Sequence, residues 1–89
     1  MAVVFIPAQL RELTGGARRV NVPGRTLREV IDKLDAKHPG LKERLLDDEG
    51  EALNPYIEIA VGDAIATLGL LTPVPKDGEV HILPNVSGG

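Results

Sequence analysis

Cysteine is absent from the 89-residue chain. That excludes disulfide staples, thiolate metal sites and a nucleophilic thiol. If the protein handles sulfur, it does so through something other than its own side chains. Tryptophan is absent too, and the only aromatics are Phe5 and Tyr56. The core must therefore be aliphatic, built from Val, Ile and Leu. No apolar run approaches the ~20 residues that a bilayer requires, which argues against a membrane partner. No basic segment followed by an apolar stretch opens the chain, so a cytoplasmic location is the expectation. Basic residues are not interleaved with aromatics, which argues against nucleic acid as a partner.

Hydrophobic residues make up 43% and charged residues 26%, a balance that supports one small globular domain. A chain of this length has an expected radius of gyration of roughly 12 Å. The net charge of −3 hides a segregation. Residues 1–46 carry nine bases and five acids, whereas residues 47–89 carry Lys76 against eight acids. The acidic half reads either as a solvated surface or as a match for a basic docking surface.

Residues 2–6 alternate as a strand, with Val4 and Ile6 on one side and Val3 and Phe5 on the other. Thr14-Gly15-Gly16 marks a turn requiring positive φ, and residues 17–22 form a second strand, completing a hairpin. Thr26-Leu27-Arg28-Glu29 is a capping box. Leu27, Val30, Ile31 and Leu34 follow at the spacing of a helical apolar stripe. Glu29 and Lys33 form a favourable i,i+4 pair on the opposite face. Pro39-Gly40 stops the helix, and residues 41–46 supply one or two further turns. Residues 47–55 are an acidic loop. Residues 56–61 alternate, with Ile57, Ile59 and Val61 on one side. Residues 64–71 fit either a brief strand or a turn of helix. Lys76-Asp77-Gly78 is a turn, and residues 79–83 form the last strand, with Val80 and Ile82 inward and His81 and Leu83 outward. The order β-β-α-β-(short element)-β describes an α+β fold: a mixed sheet of four to five strands with one main helix on one face.

After Pro84 the chain reads Asn85-Val86-Ser87-Gly88-Gly89. Five extended residues reach roughly 17 Å. Without Cβ atoms, Gly88 and Gly89 are thin enough for a narrow channel. The expectation is a domain over residues 1–84 and a flexible Gly-Gly tail over 85–89. Together with Ile6-Pro7, Leu10-Arg11, Thr14-Gly15-Gly16, Thr26-Leu27, Pro39-Gly40 and Asp77-Gly78, this ending resembles the ubiquitin-like sulfur carriers of the MoaD/ThiS family, the cysteine-biosynthesis type most of all. The resemblance implies a β-grasp fold. It implies that the Gly89 carboxylate is adenylated with ATP by an E1-like enzyme. It also implies conversion to a thiocarboxylate and threading of Asn85, Val86, Ser87 and Gly88 into partner active sites. The chain would then be a co-substrate rather than an enzyme, or the small non-catalytic subunit of a synthase, with no cofactor and no metal of its own. The acceptor would belong to cysteine or molybdopterin-type cofactor biosynthesis. In the cysteine type it is a PLP-dependent synthase, with a metalloprotease releasing the product. The same tail would equally serve a protein modifier joined to lysines, and a non-covalent β-grasp module would have an inert tail.

Phe5, His81 and Leu83 are expected on the open face of the sheet, as a partner-docking surface. Phe5 could instead pack under residues 62–75, and His81 could be a passive surface residue. His38 precedes Pro39 at the helix end, where a cation suits the helix dipole. Asp47, Asp48, Glu49 and Glu51 do not have the spacing of an EF-hand loop, so a solvated loop is the expected reading.

Overall fold

The computed structural model describes residues 1–84; the expected tail, residues 85–89, lies outside the described residues. Ala2–Phe5 form β1, and Ala2, Val4 and Ile6 are buried while Val3 and Phe5 are half-buried on the opposite face. Arg19–Val22 form β2, antiparallel to β1, with Val20 and Val22 buried. The connection is not a simple turn. Ala8–Thr14 wind into a 3-10 helix that drives Leu10 into the core. It ends at Gly15 and Gly16, at φ of 65° and 91°, which an L side chain rarely adopts. The buried Thr14 hydroxyl donates to the Ala17 carbonyl at 2.8 Å, closing this loop on itself.

Leu27–Lys37 form α1. Thr26 is its N-cap, accepting from the Glu29 N–H at 3.3 Å. The reciprocal bond is shifted by one residue from a capping box: the Glu29 carboxylate accepts from the Arg25 N–H at 3.1 Å. Leu27, Val30, Ile31 and Leu34 are all buried, so the expected stripe is the face that meets the sheet. Gly24, just before the helix, is close-packed. A Cβ there would lie 2.7 Å from Val30 Cγ2 and 2.9 Å from the Val30 nitrogen. The expected Glu29–Lys33 pair is not among the ion pairs of the described residues. Glu29 is taken up by the cap, and α1 instead sends Asp32 to Lys42 at 2.7 Å.

Leu41–Leu45 form the short α2, which turns Leu41 and Leu45 into the core. The Asp35 carboxylate, in the last turns of α1, accepts from the Gly40 and Lys42 N–H groups at 3.1 Å each and so sets the angle between the helices. The acidic loop that follows folds around Asp47. Its carboxylate accepts from the N–H groups of Glu51 at 3.0 Å and Ala52 at 3.4 Å. Those backbone bonds hold the Asp47 carboxyl below its ordinary value of 3.8.

Ile57–Val61 form β3, Ala64–Ile65 the brief β4, and Glu79–Pro84 the last strand, β5. Residues 64–71 hold both of the shapes their sequence allowed. After β4, Gly69–Leu71 make one turn of 3-10 helix. The five strands form one mixed sheet in the order β2-β1-β5-β3-β4. β5 is central, parallel to β1 and antiparallel to β3. The Cα radius of gyration is 11.7 Å.

Two changes test this packing. Leu34 is fully buried in the α1 stripe, so Leu34→Ala should cost about 2–5 kcal/mol, read as a lower urea midpoint. Asp47 has a depressed folded pKa, so its contribution is fully present above the unfolded value of 3.8 and is lost as pH falls through the lower folded value. The stability gap between the protein and Asp47→Asn should therefore be open at neutral pH and close on acidification, as measured by urea melts against pH.

Candidate functional site: the open sheet face and the root of the tail

The helices cover one face of the sheet and leave the other open. Strand register decides what that open face displays. Arg19 lies opposite Phe5, Phe5 beside His81, His81 opposite Ala60, and Ala60 opposite Ile65. One residue from each strand thus forms a single row across all five. The next step along β5 places Leu83 opposite Glu58. Leu83 is 42% exposed and Ile65 49%, so this face carries apolar surface that the core does not use.

Phe5 and His81 stack, with ring centroids 4.5 Å apart and planes within 3°. The His81 Nε2 lies 3.0 Å from Glu79 Oε1. The expected surface of Phe5, His81 and Leu83 is therefore one contiguous patch. The other placement of Phe5, under residues 62–75, is wrong for a physical reason. In that segment Ala64–Ile65 pair with β3 at the far edge of the sheet, three positions from β1, and the rest is drawn to the helix side, where Leu70 and Val74 are buried. There the Leu27 N–H donates to the Thr72 carbonyl at 3.0 Å and the Val74 N–H to Arg25 at 2.8 Å. Neither His81 nor His38 is hydrogen-bonded to a hydroxyl among the described residues. His38 ends α1 through its backbone, its N–H bonded to the Leu34 carbonyl. The four acids of residues 47–51 are not brought together as ligands, because Asp47 spends its carboxylate on the loop's own backbone. Among the described residues no group of three or more His, Asp or Glu could hold a metal ion. No described helix is long and apolar enough to cross a membrane.

The second part of the site is the end of β5. Its pairing with β3 runs to Pro84, opposite Ile57. The last residue before Asn85 is thus held in the sheet, and its fixed φ and missing N–H limit how the chain leaves it. Beside it is a groove of about 200 Å³, lined by Pro7, Leu10, Arg44, Asn54, Tyr56 and Pro84 among others. Tyr56 is 73% exposed there, and its N–H is pinned to Asn54 Oδ1 at 2.9 Å. Sequence reasoning missed this groove. Residues 41–46 read as helix only, and the Asn54 amide bond to the Arg44 carbonyl at 3.3 Å, which draws that helix to the start of β3, has no sequence signature. Asn85, Val86, Ser87, Gly88 and Gly89, all expected to act in the tail, lie outside the described residues.

Residues 4–89 match the ThiS family. The chain belongs to that family. It is 39% identical over 89 residues to the sulfur carrier protein CysO of Mycobacterium tuberculosis, covering 97% of this chain and 96% of that one. It is 36% identical over 84 residues to small archaeal modifier protein 1 of Haloferax volcanii, covering 92% and 93%. In the crystal structure of an Amycolatopsis orientalis BexX/CysO complex, one chain superposes with a TM-score of 0.91 at 36% identity, with full coverage of both. The β-grasp fold implied by the sequence is therefore the fold of this ThiS-family chain, and the chain is a carrier and not a catalyst.

Leu83 tests which face is open. Leu83→Asp should keep cooperative unfolding and lose no more than about 1 kcal/mol, chiefly from facing Glu58 across the strands. An unfolded Leu83→Asp protein, seen by circular dichroism, would mean that this side chain belongs to the core.

Proposed function

We propose that this ThiS-family carrier transports sulfur on the carboxylate of Gly89. The observation that carries this reading is the family match, which continues through Ser87-Gly88-Gly89 to the last residue of the sequence. A carboxylate resists nucleophiles because its leaving group would be an oxide. Adenylation replaces that with AMP, with pyrophosphate released from ATP. Hydrosulfide then adds to the acyl carbon, the C–O bond to AMP breaks, and a thiocarboxylate with one sulfur in place of one oxygen remains. The ATP site belongs to an E1-like partner. Gly88 and Gly89 suit passage into it, since neither carries a Cβ. Asn85, Val86 and Ser87 are the spacer between the sheet and the reacting carbon. The patch of Phe5, His81 and Leu83 is where the activating enzyme rests while the tail is in its channel.

The likeness to CysO favours cysteine biosynthesis as the destination of the sulfur over molybdopterin-type cofactor synthesis. On that reading the acceptor is a PLP-dependent synthase, and a metalloprotease frees the product. The likeness to a small archaeal modifier protein supports a second use of the same activated carbon, acyl transfer to a lysine amine.

Intact mass after incubation with ATP, a sulfide source and host extract tests the proposal. The expected result is a gain equal to one oxygen-to-sulfur exchange, lost when Gly89 is deleted. Adducts that survive denaturation would identify the modifier. An unchanged mass, in an extract that activates a known carrier, would indicate a non-covalent module with an inert tail.

A further inference from the structure

The strand directions gather charge at the end of the sheet from which the tail departs. β1 and β5 run parallel, and β2 and β3 run against them. The end of β5 therefore shares one edge of the molecule with the end of β1, the start of β2 and the start of β3. Arg18 and Arg19 stand at the start of β2, and the Ile6 N–H donates to the Arg18 carbonyl at 2.8 Å. Arg11 follows β1, its Nε donating to the Ile6 carbonyl at 3.1 Å, which fixes the base of its guanidinium. Arg44 lines the groove beside Pro84. Two strand spacings separate β2 from β5, on the order of 10 Å. Arg18, Arg19 and Arg44 are exposed and Arg11 is half-buried. None of the four is in an ion pair among the described residues. Glu12, Glu43 and Glu58 are the acids on the same stretches, so four guanidinium groups stand against three carboxylates and the edge keeps a positive excess of one on a chain of net charge −3. Asp63, Asp77 and Glu79 lie at the opposite end.

We infer that these arginines form a positive collar around the root of the tail, and that its partner is the acidic rim of the channel that admits Gly88-Gly89. The inference rests on the tail chemistry proposed above and adds the chemistry of the docking surface. An anionic rim would draw the tail end of the carrier toward it and orient the molecule before the sheet face makes contact. Guanidinium groups suit this role because they pair with carboxylates through two parallel bonds.

The test is the initial rate of thiocarboxylate formation at sub-saturating carrier, by intact mass, in host extract with ATP and sulfide. Ionic strength is varied from about 0.01 M to about 0.1 M, over which the screening length falls from about 30 Å to about 10 Å. Arg18→Glu/Arg19→Glu and, separately, Arg44→Glu are compared with Lys33→Glu/Lys76→Glu. The two double variants change net charge equally, but the last does so away from the collar. The collar variants should be slowed about tenfold or more at low salt, with the difference shrinking as salt rises, while Lys33→Glu/Lys76→Glu keeps the native rate. Arg18→Gln/Arg19→Gln, with a smaller expected loss, serves if the reversed pair fails to fold. Native rates in the collar variants, or equal slowing by Lys33→Glu/Lys76→Glu, would overturn the inference and leave the tail chemistry standing. No conversion of the unmodified chain would overturn both.

Discussion

The parallel pairing of β5 with β1 is the constraint on which the rest of the molecule depends. It inserts the last strand between the first and the third, so the final described residues are held in the middle of the sheet. Parallel neighbours cannot be joined by a tight turn, and everything between Phe5 and Glu79 connects these two strands. α1 lies across the inner face because its stripe of Leu27, Val30, Ile31 and Leu34 has only that apolar surface to meet. The same pairing fixes where the tail begins. A reactive terminus on an edge strand would fray with its strand, whereas β5 has neighbours on both sides up to His81 and β3 alone as far as Pro84.

Covering one face with helices leaves the other uncovered. The core is complete without Phe5, Leu83 or Ile65, so those side chains are free to be selected for contact with something else. Phe5 and His81 shield part of each other by stacking, and Glu79 holds the imidazole edge. This keeps a half-buried aromatic pair at the centre of a face that is acidic at one end of β5 and apolar at the other.

Much of this was legible because local chemistry and burial agree. The α1 stripe, its Thr26 cap, the alternation of β1, β3 and β5 and the glycine turn at residues 15–16 each follow from spacing alone. What was not legible depends on competition between alternative partners and on the surroundings of a segment. The Glu29 carboxylate had two partners within reach, Lys33 and the Arg25 N–H; a backbone donor already fixed in place wins over a solvated ammonium. Residues 64–71 are apolar without a period, so only their surroundings decide that two residues pair with β3 and Leu70 turns inward. Arg44 carries no local mark of a site. Its position beside Pro84 comes from Asp35 capping α2 and Asn54 reaching back to it, contacts five and ten residues apart that fall outside any helical or strand period.

The fold also explains how a domain without catalytic side chains can be specific. On the proposed reading the chemistry lies in the Gly89 carboxylate alone, so every distinction between correct and wrong enzymes would be made at a distance from it. Five residues can reach at most roughly 17 Å from Pro84 to that carbon. Over that span a tail of small residues supplies little recognition, since Gly88 and Gly89 offer only backbone. On that reading discrimination would fall to what is ordered around the root of the tail: the proposed collar, the groove at Tyr56 and the Phe5–His81 row. A wrong partner of suitable channel width would then be rejected when its rim repelled the arginines or its surface buried Glu58 or Glu79 unpaired, which costs more than a neutral contact gains. The division of labour follows from the topology. If Gly88 and Gly89 enter an active site, they bring no side chain to it, and the sheet end from which the tail departs would carry the identity of the molecule.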